Sequence, residues 1–436
     1  MYSKEMTLKS VYETSPIARD ILNEISVFAD RKYAYCAHPH VNFVSVQTVA
    51  YTIEHAVKVE TFDQLMEVIN RNPMQIIGKQ NGPANATLKD AVMYECASYP
   101  DVFSLEQAEE LGMNAVIFAW NFDMDEEEAN VMFAAAKEKG IAIILKVDLT
   151  HVDLEEAIEK MNMWITKGAS GFCVEHADMF QAEQVEKDTE TDFRRIHGIW
   201  GLQDAVFAPE NEERLQKIMK EAILPNHAFL FGKTVYDGIA TSARRCEGED
   251  RALDLVMTKL HLAGIEDTSL GHVDLNDYKQ MMINRYTDMP GYWPVLSTET
   301  VDGSVLSDLV VEKSEEQEKV AKLLAVLMHT LKGTPCTMQG EEAGVELFYK
   351  ELLALRRAHR TLALGEIKIV NPKLFDVMTY ERFDEKGNRY YVECNISANR
   401  NVLAPERPEN MELLLSNYED VSENLRPYEA NIYRIR

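Results

Sequence analysis

Three short groupings in this sequence bring together side chains able to do chemistry. His38-Pro39-His40 sets two imidazoles one residue apart, a spacing that can seed a metal site. No acid or cysteine stands beside them to complete a ligand set, so they read as a loop. Cys173 and His176 offer a thiol with a base three residues away, the parts of a thiol nucleophile. They fall at the end of a strand, where alternation sends them to opposite sides, and nucleophilic chemistry is not expected of them. Tyr292-Trp293 presents two rings that can stack on a sugar, but packing into a wall accounts for them more simply. The remaining cysteines (Cys36, Cys96, Cys246, Cys336 and Cys394) are scattered, show no paired spacing, and read as reduced thiols.

The elements that must position these side chains follow a regular rhythm. Apolar, β-branched runs at residues 91–97, 115–119, 141–147, 171–175, 227–231, 292–296 and 336–338 read as strands, with a weaker one near 253–258. Amphipathic stretches lie between them at 105–111, 126–139, 152–167, 210–223, 275–286 and 315–331, and another follows at 346–359. Gly112, Gly140, Gly168 and Gly333 stand where helices should stop. Strands alternating with helices imply parallel βαβ units, and eight such units fit a (β/α)8 barrel better than an open doubly wound sheet. No glycine-rich phosphate loop follows the first strand, against a dinucleotide fold. After about residue 362 the pattern changes to strict alternation at 375–382, 389–395, 411–415 and 431–435, a small antiparallel β domain. The expected organisation is an N-terminal α+β segment at 1–88, the barrel at 89–361 and the β domain at 362–436. Within the first segment, helices are expected at 17–28 and 62–70, strands at 33–36 and 41–51, and a linker at 72–85.

The chain of 436 residues carries 45 Lys and Arg against 72 Asp and Glu, a formal net charge of −27. Such a field repels phosphate backbones, excluding nucleic acid and anionic membrane surfaces as partners. No apolar run approaches the length of a membrane span, and the start has no apolar secretory core, so a cytoplasmic protein is expected. Acidic runs such as 125–128 read as solvated helix faces.

One long run is unusual. Gly-Thr-Pro-Cys-Thr-Met-Gln-Gly-Glu-Glu-Ala-Gly at Gly333–Gly344 resembles the eighth-strand segment of the α-amylase family, glycoside hydrolase family 13, with its oligo-1,6-glucosidase and α-glucosidase branch nearest. Residues 349–366 resemble that family's last barrel helix, and 413–435 its C-terminal β domain. Residues 141–153, 165–180, 226–235 and 291–302 occupy the places of its third-, fourth-, fifth- and seventh-strand motifs, so the resemblance covers about residues 90–436.

What the resemblance implies for catalysis is negative. Glu175 stands where the family carries its nucleophilic Asp, Lys233 where it carries the acid/base Glu, and Glu299 where it carries the transition-state-stabilising Asp. Cys173 replaces the fourth-strand Arg, Lys146 the third-strand Asp, and Thr298 the seventh-strand His, while His151 alone keeps the family letter. A retaining glycosidase needs two carboxyl groups about 5–5.5 Å apart, one nucleophilic and one protonated. A lysine, with its ordinary pKa of about 10.4, can act as base only if burial lowers that value by several units. Neighbouring Glu175 and Glu299 oppose such a fall. No catalytic residue, cofactor or metal site is therefore expected.

Instead the four charges Lys146, Glu175, Lys233 and Glu299 should form an ion-paired network filling the old pocket, with Lys233 within about 6 Å of a glutamate. The long insertion after the third strand and the metal loop after the first have no counterpart, since Asp101-Val102-Phe103 runs straight into a helix. The expected protein is an inactive α-glucosidase relative serving as a carbohydrate-binding or scaffolding subunit. The alternative is an active carbohydrate enzyme, a glycosidase or a transferring enzyme, rewired around Glu175. Carbohydrate or another protein is the expected partner, and self-association is left open.

Overall fold

Alternating apolar and amphipathic stretches build eight parallel strands: β1 (Met93–Glu95), β2 (Ala115–Ala119), β3 (Ala142–Asp148), β4 (Gly171–Glu175), β5 (Phe229–Thr234), β6 (Leu255–Thr258), β7 (Val295–Leu296) and β8 (Thr334–Met338). In this computed structural model their order is β6-β5-β4-β3-β2-β1-β8-β7, a nearly closed barrel. The structure describes residues 1–16, 18–20, 22–23, 39–52, 66, 70, 86–96, 102–120, 125–150, 152–178, 209–234, 237–258, 275–289, 291–299, 306, 310, 314–399, 402–403 and 407–436.

The helices, in chain order, are α1 (Leu8–Thr14), α2 (Val46–Thr52), α3 (Ala86–Asp90), α4 (Val102–Leu111), α5 (Glu126–Lys139), α6 (Leu154–Lys167), α7 (Pro209–Ile218), α8 (Ile239–Arg245), α9 (Leu275–Asp288), α10 (Ser314–Thr330), α11 (Glu346–Ala358) and α12 (Arg360–Leu364). Local chemistry sets several of their limits. Asp125 accepts the Glu127 and Glu128 amides at the start of α5, and Gly140, at φ 67°, ends it in a conformation that side chains resist. Asp153 caps α6 in the same way, and Gly168 terminates it.

Period-two alternation then sorts the strand side chains. Met93, Ile117, Ile144, Cys173, Phe231, Met257, Val295 and Cys336 form one buried cluster, the filling of the barrel. Tyr94, Val116, Phe118, Ile143, Leu145, Phe172, Val174, Leu230 and Val256 belong to the larger cluster, against the surrounding helices. A five-stranded antiparallel sheet follows, in the order Met411–Ser416, Ala430–Ile435, Arg389–Asn395, Val377–Phe383, Glu366–Val370. Its strands are β9 (Glu366–Val370), β10 (Val377–Phe383), β11 (Arg389–Asn395), β13 (Met411–Ser416) and β15 (Ala430–Ile435), while β12 (Val402–Leu403) and β14 (Asn424–Leu425) form a separate two-stranded ribbon.

One expectation in the N-terminal segment is corrected. Residues 39–52 hold a 3-10 turn at Pro39–Phe43 followed by α2, not a strand over 41–51. The β-branched residues suggested a strand, but only Val46 and Ala50 are buried, a four-residue spacing that suits a helix. The Ser45 hydroxyl accepts the Thr48 amide and starts that helix. Residues 18–20 and 22–23, within the expected helix at 17–28, are helical. The expected strand at 33–36, the expected linker at 72–85 and most of the expected helix at 62–70 lie outside the described residues. The helix expected at 210–223 is α7 continued by a π-helical turn, Met219–Ile223.

Candidate functional site

Alternation also explains how charge arrives inside the barrel. Glu95, Lys146, Glu175 and Lys233 each lie two residues beyond a barrel-filling side chain, namely Met93, Ile144, Cys173 and Phe231. Each therefore points inward, one layer nearer the C-terminal mouth. Glu299 follows β7 at the same end.

These side chains meet around one ammonium group. Lys233 Nζ donates to Glu95 Oε1 at 2.5 Å and to Glu299 Oε2 at 2.7 Å, and lies 3.4 Å from Glu175 Oε1. Lys146 Nζ donates to the same Glu95 Oε1 at 2.7 Å and lies 3.4 Å from Glu175 Oε1. Lys233 is 1% exposed and Glu95 3%, so the centre of the network is sealed from water. Burial pulls the Lys233 ammonium down, but Glu95, Glu175 and Glu299 outweigh it and hold its pKa well above the lysine range. Burial likewise pushes Glu95 up, and the two lysines outweigh that to bring it down to about 2. Lys146 is raised by Glu95 and Glu175 against the opposing effect of burial. The Glu95 carboxylate and the two ammoniums thus hold one another in their charged forms. A permanently protonated Lys233 with its donors engaged cannot take a proton from a nucleophile or water.

The structure thus brings Lys146, Glu175, Lys233 and Glu299 together and adds Glu95, which the motif comparison did not supply. Its signal was available: Glu95 ends an apolar strand in register with Met93, on the inward face. Cys173 is fully buried in the barrel filling, and burial raises its thiol well above the usual range. Thr298 is 3% exposed beside Glu299. His151, and the side chains of His38 and His40, lie outside the described residues. Tyr292 and Trp293 are buried, with Trp293 Nε1 donating to Thr334 Oγ1 at 2.9 Å, so they are wall packing. Among the described residues no group of three or more His, Cys, Asp and Glu side chains is arranged to hold a metal.

Two further features surround the network. On its exposed side His176, held at φ 49°, places Nδ1 3.8 Å from Asp148 Oδ2, and both side chains are about half exposed. The His176 contact and the Thr150 hydroxyl and amide hold the Asp148 carboxyl well below the usual range, and Asp148 in turn raises His176. On the side of β5, Asp20 Oδ2 accepts the Ala240 and Thr241 amides at 2.5 and 3.3 Å. Gly238 gives α8 no side-chain cap, so a buried carboxylate of the N-terminal segment serves instead. That segment is thereby fastened where the chain leaves Lys233.

Glu341, in the turn after β8, is a buried acid of another kind. Its Oε2 accepts the Met338 amide at 2.9 Å, while Oε1 is buried without a partner. Burial, against that amide and with neighbouring Glu342, Glu299 and Glu95, pushes it up to about 8. A raised acid binds its proton more tightly in the folded state. Its contribution is full below about pH 4.3, the ordinary glutamate value, and disappears as pH rises through 8. Glu341→Gln should therefore raise Tm by about 2 °C or more at pH 9 and change it little at pH 5, as read by calorimetry across pH. Equal shifts at both values would refute the assignment.

An eight-stranded parallel barrel with charged side chains at its C-terminal mouth and an antiparallel sheet behind it defines the barrel class to which many sugar-processing enzymes belong. The family model described as the alpha amylase catalytic domain matches residues 119–353, more than half of the chain, and the chain belongs to that family. Solved structures agree on the fold. Trehalose-6-phosphate hydrolase of Bacillus licheniformis is similar at a TM-score of 0.64 and 15% identity, over 80% of this chain and 100% of that one. Trehalulose synthase of Pseudomonas mesoacidophila MX-45 is similar at 0.62 and 13%, over 81% and 100%. Comparison with curated protein sequences finds no match. No helix among the described residues is long and apolar enough to cross a membrane.

Proposed function

We propose that this chain is a catalytically inactive α-glucosidase relative, kept as a carbohydrate-binding or scaffolding subunit. The observation that carries this reading is the engagement of Lys233, at the position of the family's acid/base glutamate, with Glu95 and Glu299 inside the barrel. Lys233 thereby ties up Glu299, at the position of the family's transition-state-stabilising Asp, and lies 3.4 Å from Glu175, at that of its nucleophile. Asp20 adds support, since it fastens a segment foreign to the family pattern beside the mouth. The free thiols of Cys96, Cys173, Cys246, Cys336 and Cys394 suit a reducing compartment, and we place the protein in the cytoplasm.

The test is a panel of nitrophenyl α- and β-glycosides. The expected result is no release above that of a folded Glu175→Gln variant. Turnover that vanishes in Glu175→Gln would overturn the reading. Thermal-shift screening then divides its two halves, a stabilising sugar selecting a binding role and none selecting scaffolding.

One observation favours the second reading, an active enzyme rewired around Glu175. Its side chain is 19% exposed against 3% for Glu95 and 8% for Glu299, and it adjoins the half-exposed His176–Asp148 pair. The same assay decides between the two.

A further inference from the structure

The opposite face of the barrel carries a second concavity. A groove of about 290 Å³ opens at the N-terminal ends of the strands, where α4, α5 and α11 finish. Lys139, Arg356, Arg357 and Arg360 line it, with Asp90 and Glu109. Four cations and two carboxylates give a formal charge of +2, in a chain whose total is −27.

Helix C-termini attract cations, and this accounts for Lys139 and Arg357 in the last turns of α5 and α11. Both also have partners: Lys139 pairs with Glu109 at 2.5 Å, and Arg357 Nη1 donates to the Gly112 carbonyl at 2.8 Å. Arg360 pairs with Asp90 at 2.5 Å, but each is nearly half exposed, and such a surface pair exchanges readily for another anion.

Arg356 shares the last turn of α11, but unlike the other three it is buried. It is 3% exposed, its Nη1 donates to the His329 carbonyl at 2.5 Å, and its Nη2 is buried without a hydrogen-bond partner. Burial and neighbouring Arg382 pull its guanidinium down to about 9, so it stays charged at neutral pH. A buried guanidinium with an unmet N–H is costly unless an anion completes it.

We propose that this groove binds the phosphate group of a small molecule, either inorganic phosphate or a phosphate monoester, through Arg356 and Arg360. A planar guanidinium offers paired N–H donors to phosphate oxygens, and a dianion balances the charge of the lining. The volume leaves room beside the phosphate for a few further atoms. The site is separate from the Lys233 network and does not depend on whether the barrel mouth is catalytic.

Titration calorimetry at fixed ionic strength tests it, with inorganic phosphate and glycerol 3-phosphate as probes and chloride as the comparison. Saturable binding of phosphate is expected, weakened at least tenfold by Arg360→Gln, a variant whose Tm without phosphate should match the parent. Arg356→Lys should weaken binding as well. Tighter binding of glycerol 3-phosphate assigns the site to a monoester, and tighter binding of inorganic phosphate to the free ion. Heats no larger than those of chloride, or wild-type affinity in Arg360→Gln, would overturn the proposal.

Discussion

Replacing Lys233 by methionine is expected to lower the stability of the protein by about 3–5 kcal/mol, the range for breaking one side of a buried ion pair. The residue sits 1% exposed between Glu95 and Glu299, with Glu175 at 3.4 Å. Its removal leaves three carboxylates facing one remaining ammonium, that of Lys146. Methionine keeps the length and apolar body of the side chain, so the loss reports charge and not a cavity. Adding Glu299→Leu restores the original excess of one carboxylate over the ammoniums, and the double variant should recover most of the stability. Urea unfolding at pH 7, followed by circular dichroism, measures both. An unchanged midpoint in Lys233→Met would mean that the network contributes nothing. The pH dependence has a definite sign. Glu95 has a folded value of about 2, below its unfolded one, so the unfolded chain binds more protons between roughly pH 4.3 and 2. The wild type therefore loses this contribution as pH falls through that window. Lys146 and Lys233 are raised, so their contribution persists through neutral pH and fades only above the lysine range.

On the inactive reading proposed above, this network is the means by which a glycosidase frame loses its chemistry. Deleting a catalytic carboxylate alone would leave its partners as buried, mutually repelling anions. On that reading, lysines at two strand ends take the place of the reactive group and offset the charge of those partners in the same step. By formal count the cluster has one carboxylate in excess, and Glu341 nearby avoids adding a second by holding a proton to about pH 8. The acidity of the whole chain is thus not concentrated in the barrel mouth. It lies on surfaces such as the first turn of α5, where Glu126, Glu127 and Glu128 are exposed.

The barrel was readable because its signals are local. The limits of α5, β2 and β4 match the sequence pattern residue for residue, since a capping Asp, a terminating Gly and a short β-branched run each act within one or two turns of chain. The stretch at 41–51 misled for the same reason. Its β-branched composition speaks for a strand, while burial of Val46 and Ala50 alone is a tertiary fact that composition does not carry. At the site, the positions of Lys146, Glu175, Lys233 and Glu299 came through likeness to a family motif. Glu95 has no such motif and required counting alternation from Met93. The Asp148–His176 pair was further from view. It depends on the β3–β4 register, which sets Asp148 opposite Glu175, and on the positive φ at His176 that turns the ring back toward it. Neither is written in the spacing of the two residues along the chain.

Arg382→Met should cost the protein about 3–5 kcal/mol as well, for a different reason. Arg382 lies on β10 of the C-terminal sheet and is fully buried. Its Nη1 donates to the carbonyls of Thr330 and Leu362 at 2.5 and 2.8 Å, and its Nη2 to those of Ala363 and Gly365 at 3.4 and 2.6 Å. Thr330 ends α10, while Leu362 and Ala363 belong to α12, so one guanidinium satisfies the orphan carbonyls of two helix ends. Burial pulls it down to about 10, which leaves it charged at neutral pH and its hydrogen bonds charge-assisted. Methionine fills the same channel but leaves these carbonyls buried without donors, and that desolvation cost dominates. Arg382→Lys keeps the charge but reaches fewer of them, so it should fall between the two. Since the guanidinium joins the sheet to the barrel's last helices, hydrogen exchange in β9, β10 and β11 should quicken more in Arg382→Met than exchange in β2 and β3. Uniform acceleration across both would mean that sheet and barrel unfold as one unit and that Arg382 is not their local link.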